Sequence, residues 1–185
     1  MDIPQDEIDR VCGKIIREWA LLESVLGLYY LAFVGAIDQF RARVVWASLA
    51  NLQARRKALN RYSENFLESD ELRCFRILMK RMSKLANKRN MVAHARCYPK
   101  GRNLVFMDFD KEGDDGTFLF LKEIEEQFNT VKNWPDAIAK LTADLLEFYP
   151  RLERQHTWSK MHRGQQDDRG PNSGPHQQES TPAKH

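Results

Sequence analysis

The feature that most restricts the fold is an apolar stripe near the start of the chain. Ile8, Val11, Ile15, Trp19, Leu22, Leu26 and Tyr29 or Tyr30 recur at steps of three and four, the spacing of one helix face. The spacing predicts a helix over 6–34. Asp2, Asp6 and Glu7 add negative charge at its start, where the helix dipole favours it. Beyond Leu21 the helix is apolar on nearly every side, which signals burial on more than one face, as in a helix shared by a core and a subunit contact. Trp19 to Ile37 is apolar except for Glu23, Ser24 and the glycines, close to the about 20 residues a membrane span needs. The glutamate in its first turns points instead to a helix buried in a bundle or dimer interface, with no membrane partner.

Two more helices follow. Gly35 closes the first and Asp38 caps the second, expected to run to about Phe66 with Phe40, Val44, Ala47 or Ser48, Leu52, Leu59, Tyr62 and Phe66 facing inward. Its outer face would carry Arg41, Arg43, Arg55, Arg56, Lys57 and Arg61. Ser69 or Asp70 then caps a third helix, with Glu71 in its first turn. That helix has the stripe Leu72, Phe75, Leu78, Met82, Leu85. From Leu72 to Arg96 there are eight basic residues and no acidic one. A solvated helix usually mixes signs to gain i,i+4 pairs, so a single sign points to a nearby polyanion or to acidic partners elsewhere in the fold.

The pattern changes after Pro99 and Gly101. Leu104–Met107 and Thr117–Leu121 are β-prone and flank an acidic turn, which predicts a β-hairpin. Asp108, Asp110 and Glu112 imitate half of an EF-hand loop, but Leu119 stands where the bidentate glutamate belongs. Residues 122–150 read as helical again, interrupted at Trp134-Pro135 into roughly 122–133 and 135–149 and ended by Pro150. The expected fold is all-α: an up-and-down bundle of four to five helices with a small β-hairpin insertion near 103–121. It occupies 1–152 and is followed by a disordered polar tail over 153–185.

The 185 residues are 42% hydrophobic and 30% charged, with net charge +3, an ordinary globular composition. Cys12, Cys74 and Cys97 are odd in number and far apart, with no Cys-x-x-Cys. No disulfide framework or zinc cage is expected, and a reducing cytoplasmic setting fits. The acidic N-terminus has the wrong sign for a signal peptide.

The candidate site is Asn87-Lys88-Arg89-Asn90-Met91-Val92-Ala93-His94, at the end of the third helix. The stripe calls for an inward residue near 89, and the position holds an arginine. A guanidinium facing inward is costly unless it is paired or lines a wet cleft. Asn90 and His94 are four apart and share a face. Arg89 and His94 are five apart, ~140° around the axis at about 100° per residue. A site using both needs a second element, or a second copy, to face them. A plainer reading pairs Arg89 with a glutamate of the first helix and leaves His94 as a satisfied helix-end histidine. A second Arg-x4-His, Arg151 to His156, follows Pro150 and has no asparagine after its arginine; it is set aside.

Arg89-Asn-Met-Val-Ala-His94 resembles the Arg-x4–6-His motif of the HEPN superfamily in its Arg-Asn-x-x-x-His form. The architecture over about 8–150 is similar too, with Trp19-Ala-Leu-Leu-Glu23 on the first helix. The resemblance implies a helical bundle that dimerises and places two motifs across one cleft. It also implies a metal-independent endoribonuclease acting on RNA. His94 would transfer protons, Arg89 would hold the scissile phosphate, and Asn90 would position the histidine or bind phosphate. Histidine titrates near neutral pH, and arginine offers a planar fork for phosphate. Lys84, Lys88 and Arg96 would bind flanking phosphates, and Glu23 or Glu18 would pair with Arg89. Some HEPN toxins carry Arg-x4-His-x-Tyr with a modifiable tyrosine; here that position is Arg96.

Three functional expectations follow, the last being an RNA- or DNA-binding helical protein without chemistry. The first is an RNA-cleaving homodimer, a toxin or defence effector with a protein antitoxin or regulator. The second is a non-catalytic HEPN-like interaction or nucleotide-binding module that pairs with a protein partner. The chain has no phosphate loop, metal-ligand cluster or glycine-rich turn, so no cofactor or metal is expected.

Overall fold

The computed structural model describes residues 3–35, 39–112 and 118–164. It describes their side chains except at 96, 108–112, 118–123 and 153–164. Helix α1 (Gln5–Val34) buries Ile8, Val11, Ile15, Trp19, Leu22, Leu26, Tyr29 and Tyr30, the residues of the expected stripe. Gly35 closes it in the left-handed region at φ 57°, its N–H reaching the Leu31 carbonyl, a conformation that favours glycine.

The next segment is two helices rather than one: α2 (Gln39–Ser48) and α3 (Leu52–Phe66). The cause is Asn51, whose Oδ1 accepts from the Ala54 N–H at 2.9 Å. That bond satisfies a free donor of a new helix start and competes with continuing the old one. Because α2 is separate, it does not follow the α3 stripe. Phe40 and Val44 are 75% and 53% exposed, and α2 buries only Ala42. The capping role expected of Asp38 lies outside the described residues. Two of the arginines assigned to the outer face turn inward. Arg55 lies over the Trp46 ring at 5.3 Å, and Arg56 donates to Ser83 Oγ at 2.6 Å.

Helix α4 (Ser69–His94) starts at Ser69, itself one of the two expected caps; the N-cap is Glu68, one residue earlier, without a side-chain bond. After α4 comes a three-stranded antiparallel sheet in the order β1-β2-β3: β1 (Arg96–Lys100), β2 (Asn103–Glu112) and β3 (Phe118–Gln127). The expected hairpin is its β2–β3 pair. β1 joins it through a turn whose Gly101 has φ 62°. Pro99 sits on β1, an edge strand, which tolerates its missing N–H. Asp108–Glu112 belong to β2, and the acidic turn at 113–117 lies outside the described residues.

Residues 122–127 were expected to be helical and are strand. They pair with Asn103–Asp108, and Glu125 accepts from both Lys100 and Asn103. Helix α5 (Phe128–Lys132) and helix α6 (Trp134–Gly164) follow, with the expected break beside Trp134. Pro135 falls at the start of α6, where its missing N–H costs nothing. Pro150 does not end α6. The apolar stripe crosses it, with Phe148 and Leu152 both buried. The helix therefore extends to Gly164, beyond the boundary at 152. The rest of the expected tail, 165–185, lies outside the described residues.

Side-chain pairs set the helix directions. Glu23–Arg55, Tyr30–Tyr62 and Phe33–Phe66 run α3 parallel to α1. Phe75–Phe148 and Arg81–Asp144 run α4 antiparallel to α6. The core centres where Tyr29, Phe33, Phe75 and Phe148 meet, and the Tyr29 hydroxyl donates to the Leu145 carbonyl at 2.5 Å. The result is an up-and-down helical bundle carrying a small sheet. Among the described residues no helix is long and apolar enough to cross a membrane.

Candidate functional site

The inward face of α4 runs Phe75, Met79, Met82, Ala86. The next step of that spacing is Arg89, which is half-buried, as the stripe requires. Its Nη1 donates to Asn90 Oδ1 at 3.2 Å. Its Nε is buried and meets no hydrogen-bond partner. Asn90 is exposed and is engaged by Arg89 rather than by His94.

His94 is the last residue of α4 and is exposed. Ala95 turns extended at φ −87°, ψ 148°, while its N–H still bonds the Met91 carbonyl. The helix therefore continues through the motif, and Arg89 and His94 keep their ~140° separation around the axis. One chain does not aim both at the same point.

The glutamates expected to pair with Arg89 are engaged elsewhere. Glu23 lies 3.6 Å from Arg55, and Glu18 lies 3.1 Å from Arg17. The α3 arginine reaches Glu23 first because α3 runs beside that stretch of α1. Lys84 is exposed on α4. The Lys88 ammonium sits 4.8 Å from the centre of the Trp134 ring. Trp134 in turn stacks on Phe106 at 6.1 Å and 19°. Arg96 opens β1 opposite Met107.

Among the described residues, acids answer the basic run in its first half. Arg76 pairs with Glu64 at 2.8 Å and Arg81 with Asp144 at 2.5 Å. Among the described residues no acidic side chain pairs with Lys84, Lys88, Arg89 or His94. The same end of the bundle holds the starts of α3 and α6, since Lys88 meets the first residue of α6. Helix N-termini carry partial positive charge and favour anions.

The role of Trp134 was missed in sequence, where it read only as a break; it is the floor under Lys88. Arg151, from the rejected second motif, lies over Phe148 at 5.5 Å. Among the described residues no three His, Cys, Asp or Glu side chains gather as a metal ion would require. Comparison with protein-family models, curated proteins and solved structures finds no match for this chain.

Proposed function

We propose that the protein is a metal-independent endoribonuclease of HEPN type, acting as a homodimer. The supporting observation is the acid-free cationic end of α4, where Arg89 is held half-buried without a carboxylate partner. A buried cationic group without a counterion is expensive, and an anionic substrate phosphate would supply the missing partner. In this reading Arg89 binds the scissile phosphate and stabilises the charge that develops on it. His94 moves the proton at the ribose 2′-hydroxyl or at the leaving 5′-oxygen. Asn90 fixes the guanidinium through Oδ1. Lys84, Lys88 and Arg96 hold neighbouring phosphates. The ~140° angle between Arg89 and His94 calls for a second element or a second copy to face them; in this reading it is a second copy, one chain offering the arginine opposite the other's histidine. A toxin or defence role with a protein antitoxin belongs to this reading.

A second reading has its own observation. Leu21 and Leu28 on α1, with Phe40, Val44 and Val45 on α2, are exposed at 42–75%. Such a surface suits a non-catalytic module that docks a protein. The test is RNA cleavage by wild type and His94→Ala. Cleavage by wild type alone, with RNA affinity retained in the variant, supports the nuclease. Equal cleavage, or none across a range of RNAs, overturns it in favour of the module.

A further inference from the structure

A groove of about 560 Å³ runs along α3, where Arg56, Lys57, Asn60, Arg61 and Glu64 help to line it. Two of these side chains mark the place of α4. Arg56 Nη1 donates to Ser83 Oγ at 2.6 Å, and Glu64 pairs with Arg76 at 2.8 Å. The two helices are therefore antiparallel, and Ser83 and Arg76 lie on the face of α4 turned to α3. At about 100° per residue that face continues through Lys80, Asn87, Asn90 and His94, all within ~60° of Ser83 around the axis. Matching Arg56 with Ser83 sets Leu52, the first residue of α3, level with Asn87. His94 therefore stands about two turns past the start of α3, on the face that lines up with the groove.

We propose that this groove binds the phosphate backbone of a nucleic-acid strand and leads it to His94. The charge has one sign. Glu64 is the only acidic residue from Leu52 to Phe66, and Arg76 neutralises it. Lys57 and Arg61 are exposed along α3, as are Lys80 and Lys84 along α4. Each of these two pairs sets like charges four residues apart, a spacing that costs a helix stability. A polyanion laid between them turns that cost into binding. Arg56 adds a fixed guanidinium, since Ser83 holds it through one of its five N–H donors. Arg61 falls level with Leu78 of α4, so the path from Arg61 to His94 is about 24 Å long. That the strand is RNA, and that the groove carries the part flanking the cleaved bond, rests on the nuclease reading; backbone binding itself does not.

The test uses the full chain carrying His94→Ala, so that binding is read without cleavage. A fluorescein-labelled single-stranded RNA and the DNA strand of matching sequence are titrated by fluorescence anisotropy over a range of salt. Lys57→Gln with Arg61→Gln removes two exposed charges and leaves the Arg56–Ser83 bond in place. This double variant should weaken RNA binding on the order of tenfold and lower the slope of log K against log salt by about 1.4, two phosphates at ~0.7 each for a single strand. An equal charge change outside the groove, Arg10→Gln with Lys140→Gln, should leave the affinity and the slope nearly as they were. Equal losses from the two double variants, no loss from the groove variant, or no binding of RNA at any salt would overturn the proposal. Tighter binding of the DNA strand would overturn it for RNA. Cleavage is measured separately on the chain with His94 intact. A groove variant that loses binding in a protein that cuts no RNA keeps the groove and removes the nuclease; cleavage with an unaffected groove variant does the reverse.

Discussion

Replacing Arg89 with leucine separates a functional arginine from a structural one, because the two predict opposite signs. Arg89 stands at an inward α4 position with its Nε buried and unpaired. Such a donor costs about 1–3 kcal/mol. The variant recovers that cost and keeps an apolar side chain on the stripe after Ala86. It loses one hydrogen bond, Nη1 to Asn90 at 3.2 Å, which at an exposed partner is worth ~0.5–1 kcal/mol. The net expectation for Arg89→Leu is stabilisation by about 1 kcal/mol, or ~2–4 °C in Tm for a chain of this size. Urea unfolding followed by circular dichroism measures it, with an unchanged m-value showing that only stability moved. The same variant should abolish RNA cleavage. Destabilisation by about 1 kcal/mol or more would refute the reasoning, since it would mean that the guanidinium holds the fold together.

Three other outcomes are expected. Asn51→Ala removes the acceptor for the Ala54 N–H and should cost about 1 kcal/mol in urea unfolding. Tyr29 is fully buried, and burial followed by the neighbouring Tyr149 raises its hydroxyl above the ordinary value. A raised folded pKa gives stability that is complete below the ordinary value of about 10 and is lost as pH climbs toward the folded value. The urea midpoint should therefore fall above about pH 10, less steeply in Tyr29→Phe, while that variant loses ~1 kcal/mol at neutral pH with its bond to Leu145. Lys84→Gln should weaken RNA binding evenly across sequences and lower the salt slope, log K against log salt, by about 1.

What could be read from sequence was periodic and local. The α1 stripe and the inward position of Arg89 follow from repeats of three and four, because burial on one face imposes that period. The closure at Gly35 and the break at Trp134-Pro135 follow from backbone restrictions of single residues. The losses are long-range or depend on one side chain. Residues 122–127, Lys-Glu-Ile-Glu-Glu-Gln, favour a helix on their own, and β2 overrides that preference by offering a ladder. Leu49-Ala50-Asn51 carries no strong breaker, so the split between α2 and α3 rests on one side-chain bond. Pro150 reads as a stop, but the core face continues past it to Leu152. At the site, the positions of Arg89 and His94 were legible. The occupation of Glu18 and Glu23 by other arginines and the Trp134 floor were not, since each depends on which helices become neighbours.

The most direct test of the central claim is end-group analysis of RNA fragments produced in excess chelator by wild type and His94→Ala. Fragments ending in 2′,3′-cyclic phosphate from the wild type alone are the expected result, since they require proton transfer at a ribose hydroxyl by His94 without a metal ion. Fragments ending in 3′-hydroxyl, cleavage that the chelator stops, or equal cleavage by both proteins would contradict it.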